Sequence, residues 1–158
     1  MKKTQRRIIR EKVLQILYAY EFNKEGLQAS IDEHLIWNGD PIIKEFGESL
    51  INKVIINCKE FDSIIKKKVK NWQFEQIAVI DLILLRMGLC ELFYFPEIPP
   101  KVSINEIIEI SKEYSVANSG GFINGILAKV LTELREEGKL NKKGRGLIDE
   151  SISTQEDK

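Results

Sequence analysis

Apolar residues return at helical spacing along most of the chain. From Arg6 to Phe22, Ile9, Val13, Ile16, Leu17 and Tyr20 recur every three or four positions and line one helix face. Thr4 stands where a cap is wanted, and the segment ends near Gly26. A short second helix is predicted from Ser30 to about Trp37. Asn38-Gly39-Asp40-Pro41 reads as a turn, with Asp40 as cap and Pro41 opening the next helix. Ile42, Phe46, Leu50, Val54 and Phe61 then predict a long helix, broken or bent near Cys58. Ile64 to Val69 interleaves apolar residues with Lys66, Lys67, Lys68 and Lys70, and Asn71-Trp72 reads as a junction.

The most apolar stretch, Phe74 to Phe95, predicts the central core helix, ended by Pro96, Pro99 and Pro100. Ser103 and Glu106 have the spacing of a capping box, which predicts a helix from about Ile104 to Tyr114. Asn118-Ser119-Gly120-Gly121 interrupts the pattern and Phe122 to Leu134 restores it. No strand pattern and no internal repeat is found. The expectation is an all-α fold of about seven helices in a bundle arrangement, with one helical domain over residues 1–137 and a disordered tail over 138–158.

Composition changes this picture little. With 43% hydrophobic residues in 158, a core forms without disulfides or metal. Cys58 and Cys90 lack metal-ligand spacing and read as reduced thiols of a cytoplasmic protein. The apolar run near residues 77–95 is broken by Asp81, Arg86 and Glu91, a poor membrane span. There is one histidine, His34, and no glycine-rich phosphate loop. No enzymatic role, metal, cofactor or small-molecule substrate is expected.

Charge changes it more. The net charge is zero, yet residues 1–12 hold Lys2, Lys3, Arg6, Arg7, Arg10 and Lys12 against Glu11 alone, a local +5. On a helix Lys3, Arg7 and Arg10 share a stripe, with Arg6 beside it, flanking the apolar face. That makes a platform for phosphates and stacked bases. The same residues read equally as a solvated first turn, and cations there oppose the helix dipole. The lysine cluster at 66–70 reads as a solvated face that joins this surface only if it folds close by.

Arg86 and Glu91 lie inside the apolar central helix and need partners, because unpaired buried charge is expensive. For Glu91 the reading is a structural ion pair; Arg86 either does the same or reaches the rim of the basic surface. Asp81 is placed to meet a protein partner. Gly125 inside a helix costs about 1 kcal/mol relative to alanine, which points to a neighbouring helix or a ligand close to that backbone. Phe122 serves either the core or base stacking, and Asn124 could read a base edge.

Three segments together resemble the NusB family of bacterial transcription antitermination factors. They are the arginine-rich start leading into Leu17-Tyr18, the central LLRMGLCEL over 84–92, and Lys101 to Glu106 followed by Phe122-Ile-Asn-Gly-Ile-Leu127. The resemblance spans roughly residues 4–134 and rests on order and spacing. It implies two packed three-helix bundles. It also implies binding of boxA-like single-stranded RNA of ribosomal RNA operons, with NusE (a ribosomal small-subunit protein) and an RNA polymerase complex as partners. By position, Arg6, Arg7 and Arg10, with Lys3 on their stripe, match the RNA-binding start. Phe122 and Asn124 match the last-helix motif near the RNA, Arg86 and Lys101 extend that surface, and Tyr18 and Asp81 match positions facing NusE. Two departures stand out: Cys90 replaces the usual tyrosine before Glu91, and the Lys68-Val69 region lacks the usual aromatic or histidine. A protein-interaction module with a merely solvated basic end is the rival reading.

Overall fold

A computed structural model describes residues 2–116 and 118–148. Eight α-helices occur among them: α1 (Gln5–Phe22), α2 (Leu27–His34), α3 (Pro41–Ile56), α4 (Cys58–Lys68), α5 (Asn71–Phe74), α6 (Val79–Tyr94), α7 (Pro100–Tyr114) and α8 (Ser119–Glu136). No strand is present among these residues. None of their helices is long and apolar enough to cross a membrane.

The architecture is two helical layers. In one, α1 packs on α2 and α3; in the other, α6, α7 and α8 pack mutually, while α1 and α3 lie against α6 and α4 bridges α6 and α8. Helix α6 is thus covered from several sides, and all ten of its residues from Ile83 to Leu92 are buried. This is why its sequence shows no polar face: a helix enclosed all round has none to keep. At Gly88 an added Cβ would stand 2.8 Å from Leu127 Cδ1, so the missing side chain lets α8 approach α6.

Helix starts follow local chemistry. Thr4 Oγ1 accepts from Arg7 N at 3.1 Å, and Asp40 Oδ1 accepts from Ile42 N at 2.9 Å with Pro41 at the first position. Four boundaries differ from the periodic reading. Helix α2 runs Leu27–His34, earlier than the expected Ser30–Trp37. The central apolar stretch is two helices, because Gln76 N and Ile77 N bond three residues back, to Gln73 O and Phe74 O, and close a tight turn. Helix α7 begins at Pro100, which needs no hydrogen-bond partner at the first position, and Ser103 is inside the helix instead of capping it. Helix α8 begins at Ser119, after Asn118 turns the chain in the left-handed region at φ 78°.

The expected disordered tail is corrected for residues 138–148. After Gly138, at φ 65°, the chain folds back across the end of α6 as a strap and closes with a 3-10 turn over Gly144–Leu147. Lys143 N donates to Pro96 O at 2.9 Å, and Lys142 Nζ donates to Glu91 O at 3.1 Å and Phe95 O at 2.9 Å. These donors satisfy carbonyls at the C-terminal end of α6 that have no partner within the helix. Residues 149–158 of the expected tail lie outside the described residues.

Candidate nucleic-acid interface

The basic start of α1 is largely neutralised. Arg10 meets Glu91 through Nε and NH2 at 2.8 Å each, with 1% and 0% of the two side chains exposed. Burial alone would pull the Arg10 guanidinium down, and the charge and hydrogen bonds of Glu91 more than reverse it. Ser103 Oγ donates to Glu91 Oε1 at 2.8 Å and completes the cluster. Arg7 forks onto Glu106 of α7 at 2.7 and 3.0 Å, which raises its pKa. Lys3 bridges Glu11 and Glu113, both at 2.8 Å, and these bonds raise its pKa too. Carboxylates of α1, α6 and α7 therefore absorb the charge of Lys3, Arg7 and Arg10 that looked free in the sequence.

Arg6 is different. Its guanidinium lies over the Phe46 ring at 4.7 Å and makes no ion pair among the described residues. Burial depresses its pKa first, the like charges of Arg10 and Arg145 add to this, and the charges of Glu91 and Asp40 oppose it. The Phe46 ring in turn meets the Phe95 ring edge-on at 5.3 Å. A half-buried guanidinium over an aromatic ring, with no ion pair among the described residues, can offer its charge to a phosphate. Lys101 is exposed in the first turn of α7, near the same end of α6.

The remaining expected residues lie elsewhere. Phe122 is half-buried in a shallow groove with Trp72, Gln73, Ile77, Val116 and Asn118, and Asn124 is exposed on α8. That groove adjoins Asp81, which precedes Glu91 on α6 by about 15 Å of helix rise. Asp81 is buried: it accepts from Ser119 Oγ at 2.9 Å and from Ser115 Oγ, so it ties the α7–α8 turn to α6. Arg86 is on another side, forked onto Asp62 at 2.8 and 2.9 Å and reaching Glu21 at 3.4 Å. Tyr18 is exposed, paired edge-on with Phe22 at 5.0 Å.

Two of the expected contact residues are corrected here. Arg10 is a core residue with no surface to offer RNA. Arg86 does not join the Arg6 surface, because the carboxylates of Asp62 and Glu21 hold it between α4 and the end of α1. Asp81 likewise acts inside the fold. The lysine cluster packs towards other helices: Lys66 lies over Phe74 at 4.7 Å and Lys68 pairs with Glu133 of α8. Nothing lies within 4 Å of a Cβ built on Gly125, so no neighbouring helix explains that glycine.

Periodicity missed Phe46 as a platform, Glu106 and Glu113 as the neutralising face, and Arg145 beside Arg6. The acidic pair had a signal, since Glu106 and Glu113 are seven residues apart and share a helix face. The strap had one as well: residues 139–148 carry Lys139, Lys142, Lys143 and Arg145 and no acidic residue. Among the described residues no group of three or more His, Cys, Asp or Glu side chains could hold a metal ion.

Comparison with known proteins now bears on this arrangement. The model of the NusB family matches residues 7–132. A transcription antitermination protein NusB of Salinibacter ruber is 44% identical over 147 residues, covering 90% of this chain and 91% of that one. The solved structure of T. maritima NusB superposes with a TM-score of 0.75 at 34% identity, covering 84% of this chain and 94% of that one. A crystal structure of antitermination factors NusB and NusE with double-stranded RNA shares the fold, with a TM-score of 0.69 at 23% identity over 82% of this chain and 97% of that one.

Proposed function

The chain belongs to the NusB family, and from that premise we propose that it is a transcription antitermination factor. It binds boxA-like RNA of ribosomal RNA operons, joins NusE, and enters an RNA polymerase complex in the cytoplasm. The observation that carries this reading is the likeness, over nearly the whole of both chains, to a transcription antitermination protein. Two structural features support it. Arg6 is a cation on an aromatic platform with no ion pair among the described residues, and Tyr18 with Phe22 forms an exposed aromatic pair on α1 suited to a protein partner. A protein of the same fold has been solved with NusE and double-stranded RNA, which favours the same two partners here.

Binding alone is enough for this role; it calls for no catalytic group and no cofactor. Affinity comes mainly from phosphate contacts, and selectivity comes from unstacked bases, for which Phe122 and Asn124 supply a ring and an amide. With Lys3, Arg7 and Arg10 neutralised, the chain binds RNA weakly alone and NusE completes the surface. Those neutralised cations also favour a second reading, a protein-interaction module that touches no RNA.

One titration separates the two. Labelled boxA-like single-stranded RNA, a scrambled strand and a duplex are titrated with the chain, with and without NusE, at two salt concentrations. Selective binding of the boxA-like strand, strengthened by NusE, is the expected result. NusE binding with no difference among the RNAs would leave only the interaction module.

A further inference from the structure

The C-terminal strap lies outside the segment shared with the family model, which ends at residue 132. It is docked by specific contacts. Lys142 is 7% exposed with its ammonium on the carbonyls of Glu91 and Phe95 at the end of α6, and an added Cβ at Gly146 would stand 2.0 Å from Pro96 O. Only glycine fits against that backbone. The contacts run continuously to the N-terminal helix: Lys142 bonds Phe95 O, Phe95 packs on Phe46, and Phe46 carries Arg6.

This placement brings charge where α1 lacks it. Lys143 and Arg145 are exposed, and neither has a carboxylate partner among the described residues. Arg145 is close enough to Arg6 for their charges to repel, and that repulsion contributes to depressing the pKa of Arg6. Like charges gathered on one surface repel one another, and a polyanion that meets them relieves the repulsion. Lys3, Arg7 and Arg10 are spent on carboxylates of α1, α6 and α7; Lys143 and Arg145 have no such partner among the described residues.

We infer that the docked strap is part of the nucleic-acid interface, with Lys143 and Arg145 adding phosphate contacts beside Arg6. The inference rests on the RNA-binding reading and names where much of its charge comes from. The fold holds the strap on α6 so that two cations from the far end of the chain share a face with the first helix.

The test uses the full chain and the same labelled boxA-like RNA over a salt series. Lys143→Ala with Arg145→Ala should lower the slope of log affinity against log salt by about 1.4, at about 0.7 per lost phosphate contact on a single strand. Gly146→Val, which cannot keep its contact with Pro96, should produce much of the same loss while helicity is unchanged. Faster amide exchange at Lys143 would report the undocking. Wild-type slopes in both variants, with Arg6→Ala still weakening binding, would overturn the inference and leave the RNA reading standing. Tighter binding by Gly146→Val would overturn it too, because the strap would then be a cover. No RNA binding by the unmodified chain would remove the RNA reading and this inference together.

Discussion

Arg10 and Glu91, 81 residues apart in the chain, meet through two 2.8 Å hydrogen bonds in full exclusion from water. The pair pins α1 to the centre of α6. Removing one partner leaves the other charged and buried, so Arg10→Ala should cost about 3–5 kcal/mol in urea unfolding. Arg10→Met with Glu91→Leu should restore most of that stability. If Arg10 serves only the core, the double variant also keeps RNA affinity; a matching loss of affinity would return Arg10 to the interface.

Arg6 makes the opposite case. Arg6→Ala should leave the melting temperature within a few degrees, since the cation–π contact is worth about 0.5–1 kcal/mol. RNA affinity should fall and the salt slope should drop by about 0.7. Fluorescence titration at several salt concentrations reads both, and an unchanged slope would take Arg6 off the interface.

Asp81 and Tyr18 should separate in their effects on NusE. Asp81→Ala removes the acceptor of two serine hydroxyls and should destabilise the fold by about 1–3 kcal/mol. Tyr18→Ala with Phe22→Ala should leave stability nearly unchanged while weakening NusE capture in calorimetry. A NusE affinity untouched by the aromatic double variant would place that partner on another face.

The alkaline limb of stability should carry two opposing signals. Burial, followed by the neighbouring Glu91 charge, pushes the Cys90 thiol well above its usual value of 9.0. The folded chain therefore keeps a proton that the unfolded chain loses, and stability falls as pH rises past about 9. Burial pulls Lys142 the other way, down to about 8 from 10.5, so stability rises between those pH values as the folded chain sheds a proton the unfolded chain keeps. From these two groups the wild-type melting temperature should rise between pH 8 and 9 and level off up to about 10.5, whereas Lys142→Met should lose the rise and decline above pH 9. Cys90→Val should keep rising to about pH 10.5.

Gly125 faces open space on α8. Gly125→Ala should therefore stabilise the chain by about 1 kcal/mol, the ordinary helix propensity difference. A simultaneous loss of RNA or NusE affinity would show that a ligand uses the bare backbone there; a pure gain in stability would show that none does.

Most of the helices, their order and their buried faces follow from the hydrophobic pattern, because helical periodicity records which side of each segment avoids water. Ile9, Val13 and Ile16 on α1, and the enclosed run of α6, were legible in this way. The sequence also disclosed that Arg6, Arg7 and Arg10 were unusual. What it did not contain was their fate. Whether an arginine faces RNA or a carboxylate depends on what another helix sets 81 or 99 residues away, and spacing within one helix carries no information about that. Tertiary packing decided that Glu91 takes Arg10, that Glu106 takes Arg7, and that Arg6 is left on Phe46. It decided as well that a run of lysine and glycine after Gly138 folds back instead of drifting. Local hydrophobicity there is low, and the docking energy comes from helix-end carbonyls that exist only once α6 has formed.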